Sequence, residues 1–219
     1  MFERIGRRLR VVLRRGDRPG PSDADVLPHP AHSSREVEFV AYGEDFVLSG
    51  QIRMDTDRLT DMLNAHDEYL LSDVLLERLD QGRAIEVKDV LLDRDEVMLI
   101  HATGPRGVAG RRRRTRAHPV ALRLGQYSIR GYLHALPGAD PIQSMRRRET
   151  MVPITDAWIE YQSGAVRQRR RVGAVVVNRE RIDWIVPAAD DEVEMPDVPL
   201  KVDQGPLLKD FTGALFDQT

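Results

Sequence analysis

Val90-Leu91-Leu92-Asp93-Arg94-Asp95-Glu96-Val97-Met98-Leu99-Ile100 lies position by position over Val175-Val176-Val177-Asn178-Arg179-Glu180-Arg181-Ile182-Asp183-Trp184-Ile185. In each stretch an apolar run enters a short polar turn with arginine in its second place, and apolar residues resume after it. Short apolar runs bounded by polar turns read as strand, tight turn and strand. Two earlier blocks match in the same order. Phe46-Val47-Leu48-Ser49-Gly50-Gln51-Ile52 lies over Tyr127-Ser128-Ile129-Arg130-Gly131-Tyr132-Leu133, and Leu71-Ser72-Asp73-Val74-Leu75-Leu76-Glu77 over Ile154-Thr155-Asp156-Ala157-Trp158-Ile159-Glu160. Three ordered matches with small gap changes point to an internal duplication.

Working outward, each copy reads as five strands. In the first copy they fall near 37–41, 46–54, 69–79, 85–92 and 97–102, with turns at Gly43, at Asp80-Gln81-Gly82 and at 93–96. The second copy repeats the pattern from Val120 to Val186, with a hairpin signal at Ser163-Gly164. Alternating apolar residues around Gly50 and Gly131 indicate half-buried strands, and a glycine inside each predicts a bend or bulge. Between the second and third strands, Leu59, Met62 and Leu63 share helical spacing, with Asp57 as the N-cap of one or two turns. Pro137, Gly138 and Pro141 predict a looser loop at the same place in the second copy.

Five short antiparallel strands suggest a small barrel closed against edge pairing. The bent, glycine-bearing second strand and the endings Leu91-Leu92-Asp93-Arg94-Asp95-Glu96-Val97 and Val176-Val177-Asn178-Arg179-Glu180-Arg181-Ile182 resemble the Sm/Hfq-like small β-barrel. The resemblance covers both copies and not the termini. The glycine that follows the arginine in that family is absent from both copies. The resemblance implies two tandem five-stranded barrels of SH3/Sm type. It also implies RNA contact, through Asn64 with Asp57 or Asp61, in the first copy.

The expected organisation is a basic amphipathic helix and Pro-rich tether over 1–35, an acidic β repeat over 36–103 and a Gly/Arg linker over 104–117. A basic β repeat over 118–188 and an acidic tail over 189–219, mostly extended, complete it. In the N-terminal segment Phe2, Ile5, Leu9 and Val12 recur at helical spacing, with Arg7 and Arg8 among the basic residues between them. That pattern suits docking on a partner or weak contact with an anionic membrane surface.

A formal net charge of −2 conceals a segregation. Residues 36–103 carry 6 basic and 17 acidic side chains, net −11, whereas residues 104–188 carry 17 and 6, net +11. Three clusters account for most of the positive charge: Arg111, Arg112, Arg113 and Arg114; Arg146, Arg147 and Arg148; and Arg167, Arg169, Arg170 and Arg171. Solvated surface is the ordinary state of such residues. Guanidinium forks also match carboxylates and phosphates, so the clusters are candidate contacts for an acidic protein surface, including another copy of this chain, or for RNA.

The chain has no cysteine, which excludes disulfides, thiol catalysis and Cys-ligated metals and suits a reducing cytoplasm. No apolar run approaches the ~20 residues of a membrane-spanning helix. The histidines form no ligand-spaced pair, the serines sit in no nucleophile elbow, and Gly104–Gly110 lacks the Lys-Ser/Thr ending of a phosphate loop. Asp73 and Asp156 read as structural, as do Arg94 and Arg179 at their turns. The expectation is a non-enzymatic association protein without metal or cofactor, built on complementary acidic and basic repeats, with RNA binding by the basic repeat as the alternative.

Overall fold

The computed structural model describes residues 10–11, 35–102 and 114–193. These residues are mainly β. Eleven strands form one antiparallel sheet: β1 (Arg10–Val11), β2 (Arg35–Tyr42), β3 (Phe46–Met54), β4 (Glu68–Arg78), β5 (Arg83–Asp93), β6 (Leu99–Ala102), β7 (Arg116–Leu124), β8 (Tyr127–Ala135), β9 (Met151–Ser163), β10 (Val166–Asn178) and β11 (Trp184–Pro187). The spatial order is β1-β5-β4-β3-β2-β6-β10-β9-β8-β7-β11. Within it, β5-β4-β3-β2-β6 and β10-β9-β8-β7-β11 have the same form: a four-stranded meander whose first strand also pairs with the fifth.

Local detail explains the bend in each meander. The registers of β3 with β4 and of β8 with β9 shift between Ser49 and Gln51 and between Arg130 and Tyr132. Opposite each shift an aspartate, Asp73 or Asp156, adopts a left-handed conformation with φ of 50° or 48°. Aspartate tolerates that region better than most residues. The facing residues have to be glycine. A Cβ on Gly50 would stand 2.8 Å from the Ser72 carbonyl oxygen, and one on Gly131 would stand 2.9 Å from that of Thr155.

Two short helices fill corresponding places. Helix α1 (Leu59–Ala65) buries Met62 and Leu63, as their spacing predicts. Its N-cap is Arg58, with no side-chain cap, so Asp57 does not cap it. In the second half α2 (Pro141–Arg146) replaces the expected loop. Pro141 takes the first turn, where its missing N–H costs nothing, and the Asp140 carboxylate accepts from Gln143 N. A single turn, α3 (Asp190–Val193), begins the expected extended tail and lies against β7 and β8, burying Val193. The linker ends earlier than expected, because Arg116 already starts β7.

The sheet crosses from one half to the other at β6 and β10, with Val176 opposite Ile100 and Val177 opposite Leu99. These pairs divide between two cores. Ile100 and Val176 join Phe39, Leu48, Leu71 and Leu92 in the first. Leu99 and Val177 join Leu122, Ile129, Ile154 and Ile159 in the second. Tyr42, Val47 and Leu79 of the first half also enter the second core, and Met151 enters the first.

The helix expected over the N-terminal residues falls outside the described residues at Phe2, Ile5, Arg7, Arg8, Leu9 and Val12. At Arg10 and Val11 the backbone is a strand paired with β5, not a helix.

Candidate interaction surface

The seam between the halves is apolar and hydrogen-bonded. Asn178 donates from Nδ2 to the Val97 carbonyl at 3.0 Å, and its backbone N–H reaches the Met98 carbonyl at 2.9 Å. Tyr127 donates to the Gly43 carbonyl at 2.6 Å, Gln126 to that of Glu44 at 2.6 Å, and Gly164 N to that of Leu79 at 2.6 Å. Ser163 Oγ donates to the Glu77 carboxylate. The ion pairs Arg78–Asp80, Arg94–Asp67, Arg167–Glu160, Arg169–Glu160 and Arg179–Glu180 each lie within one half.

The seam also encloses a ring cluster. Tyr42 lies 5.6 Å from Tyr127, 5.5 Å from Tyr161 and 5.7 Å from His101 between ring centroids. Arg170 donates to the Tyr42 phenol oxygen, which also lies within hydrogen-bond distance of His101 Nδ1, at 3.2 Å. Burial pushes the Tyr42 and Tyr127 phenols well above their usual range. Burial first, and then the Arg170 charge, push His101 down to about 4. At neutral pH the cluster holds a neutral imidazole beside a protonated phenol, an uncharged pair suited to a buried seam. Among the described residues no group of His, Asp or Glu has the geometry of a metal site.

Three of the arginines predicted as contacts, Arg111, Arg112 and Arg113, lie outside the described residues. Arg114 is exposed just before β7. Arg146 and Arg147 are exposed at the end of α2. Arg148 is half-buried, donates to the His134 carbonyl and is lowered from its usual range by desolvation. Strand alternation splits the third cluster. Arg167, Arg169 and Arg171 share one face of β10, while Arg170 turns to the Tyr42 cluster. Residues 171 and 178 on β10 are about 23 Å apart at the usual rise per strand residue, so this cluster and the α2 arginines do not merge into one site.

On the outward face of the second half the register assembles residues that are distant in sequence. One row runs Arg169, Glu160, Ser128, Arg123 and Trp184, and the next runs Arg171, Trp158, Arg130, Ala121 and Val186. The Arg169 and Arg171 guanidinium carbons stand 4.3 Å and 5.8 Å from the Trp158 ring centroid, close enough for cation–π attraction. Glu160 pairs with Arg167 at 2.6 Å and with Arg169 at 3.1 Å. Trp158 is only 9% exposed, whereas Trp184 and Val186, on the last strand, are each 46% exposed. Arg123, Arg130, Trp184 and Val186 were not among the sequence-predicted contacts. Only cross-strand register places them together.

Asn64, which the resemblance assigned to RNA, is committed elsewhere. Its Nδ2 donates to the Thr60 and Met151 carbonyls, and its Oδ1 accepts from Met151 N. Arg94 and Arg179 fold back onto the chain: Arg94 pairs with Asp67 at 2.7 Å, and Arg179 donates to the Arg146 carbonyl at 2.6 Å.

Compared with protein-family models, curated proteins and solved structures, the chain matches none. The functional reading therefore rests on the geometry above.

Proposed function

We propose that this chain is a non-enzymatic association protein: two Sm-like five-stranded units from one duplicated ancestor, fused by strand pairing, that join a protein partner through the remaining strand edges. The pairing of Ile100 and Leu99 with Val176 and Val177 carries this reading. It joins the fifth strand of one unit to the fourth strand of the other, which is a heterologous, head-to-tail contact. A contact of that kind leaves its two complementary surfaces at the ends of the assembly. Here they are β5, in the acidic half, where β1 covers Val90 and Leu91, and β11, in the basic half. Opposite net charge on the two halves favours head-to-tail approach over like halves meeting.

The seam supports the same reading. It is made of strand pairing, apolar packing and hydrogen bonds such as those of Asn178 and Tyr127, while the ion pairs given above lie within one half or the other, so most of the segregated charge stays available for a partner. A second copy is the partner that fits the reading most directly. Sedimentation velocity of the full chain over a range of concentrations tests it. The expected result is concentration-dependent association that weakens as salt rises. A monomer at all concentrations at low salt would overturn it.

The second reading is polyanion binding on the outward face, favoured by exposed Arg123, Arg130, Arg167 and Arg171. Trp158 supports it poorly as a stacking platform, because it is nearly covered. Fluorescence anisotropy with labelled single-stranded RNA separates the readings. Salt-sensitive binding lost in Arg167→Ala/Arg171→Ala would place RNA first.

A further inference from the structure

Resting on the association reading, we propose that β1 is a resident occupant of the acceptor edge, and that β11 of a second copy takes the same place when β1 leaves. Strand register carries the proposal. The duplicated blocks place Leu91 and Leu92 where the other half has Val176 and Val177, and Trp184 and Ile185 where the first half has Leu99 and Ile100. Val176 pairs with Ile100 and Val177 with Leu99. Carrying that contact from the seam to the free ends pairs Leu91 with Ile185 of the next copy, Leu92 with its Trp184 and Val90 with its Val186.

Those positions on β5 are already filled. Leu91 is opposite Arg10 and Val90 is opposite Val11, and the pairing is antiparallel, as it is in the seam. Arg10 and Val11 thus stand in the lanes of Ile185 and Val186. Over the rest of β5 the described residues pair with β4 alone.

The donor strand carries the complementary sign of an unused contact. Leu99, packed in the seam, is 0% exposed, while its counterpart Trp184 is 46% exposed. Val186 is equally exposed. Large apolar side chains on a short free edge strand are the usual anchors of strand addition. The segments that carry the two strands have opposite net charge, +11 over 104–188 and −11 over 36–103, which favours their approach, and β11 itself brings no charge to the contact.

Arg10 is joined to β5 through its own chain, so it competes at a high effective concentration. An occupant present nine-tenths of the time lowers the apparent affinity for a second copy about tenfold. Release of β1, by a partner that captures the N-terminal segment or by its cleavage, would then switch assembly on.

The chain has no cysteine, so an engineered pair gives an unambiguous readout. Arg10→Cys/Leu91→Cys in the full chain, oxidised, holds β1 in place. Reduction frees it. Arg10→Pro/Val11→Pro removes both strand N–H groups and weakens β1 without touching β5. Sedimentation velocity should find the oxidised form monomeric, the reduced form associating as the parent chain does, and the proline form associating about tenfold more tightly. Equal association of oxidised and reduced forms, with Trp184→Glu still weakening it, would overturn the role of β1 and leave the association reading standing. No association in any form, the proline variant included, would overturn both.

Discussion

Asn64 engages both backbone polar groups of Met151, donating from Nδ2 to its carbonyl at 3.0 Å and accepting its N–H on Oδ1 at 2.9 Å. One side chain from α1 thereby satisfies the first residue of β9, in the other half. Asn64→Ala leaves these groups partly buried and unpaired, at a cost of about 2–3 kcal/mol. Urea unfolding of the variant checks this. A loss below about 0.5 kcal/mol would mean that water replaces the amide.

The paired bulges make an opposite set of predictions. Gly50→Ala sets a Cβ 2.8 Å from the Ser72 carbonyl oxygen and 3.0 Å from Val74 Cγ2, and should cost about 1–3 kcal/mol. Asp73→Gly removes a side chain from a left-handed residue and should change stability by less than about 1 kcal/mol, in the stabilising direction. Asp73→Val, β-branched at the same φ, should destabilise. Thermal denaturation of the three variants reads the order directly.

Most of the strand pattern was legible in the sequence, because short apolar runs are bounded by turn residues and period-two alternation survives in strands such as β4 and β8. The bends at Gly50 and Gly131 were legible for the same reason, since a glycine inside an apolar strand has few other uses. Helix α2 was not. Pro141 reads as a breaker unless it is recognised as a first-turn residue after the Asp140 cap. The seam was also hidden, because nothing in the composition of Leu99 and Ile100 says which strand edge they meet. The arginine clusters show the limit most clearly. Sequence neighbours Arg169 and Arg170 point to opposite faces, while Arg171, Trp158 and Arg130 meet only through register.

Acid should loosen the seam at His101. Its folded value is pushed down to about 4 by burial and then by Arg170, against 6.5 for the free side chain. The unfolded chain therefore takes up the proton first. The His101 contribution leaves stability unchanged above about pH 6.5 and lowers it as pH drops from there toward 4, by at most about 3 kcal/mol. Unfolding free energies at pH 7 and pH 4.5 should show a steeper fall for the parent chain than for His101→Gln. Equal falls would remove His101 as the cause.

Trp184→Glu separates folding from association. The side chain is 46% exposed, so stability should shift by no more than about 0.5 kcal/mol. Self-association should weaken about tenfold or more, because the variant loses an apolar anchor and presents a carboxylate to an acidic partner. Sedimentation velocity and urea unfolding on the same sample give both numbers. A folded variant that associates like the parent would remove β11 from the interface.

Disulfide trapping between two copies tests edge-to-edge assembly. Full chains carrying Leu91→Cys alone and Ile185→Cys alone are mixed and oxidised, with Leu70→Cys as the exposed control partner for Ile185→Cys. The mixed Leu91→Cys and Ile185→Cys dimer should form far faster than the control dimer, since the proposed register sets those two backbones opposite each other. Trapping no faster than the control would contradict edge-to-edge assembly of this chain.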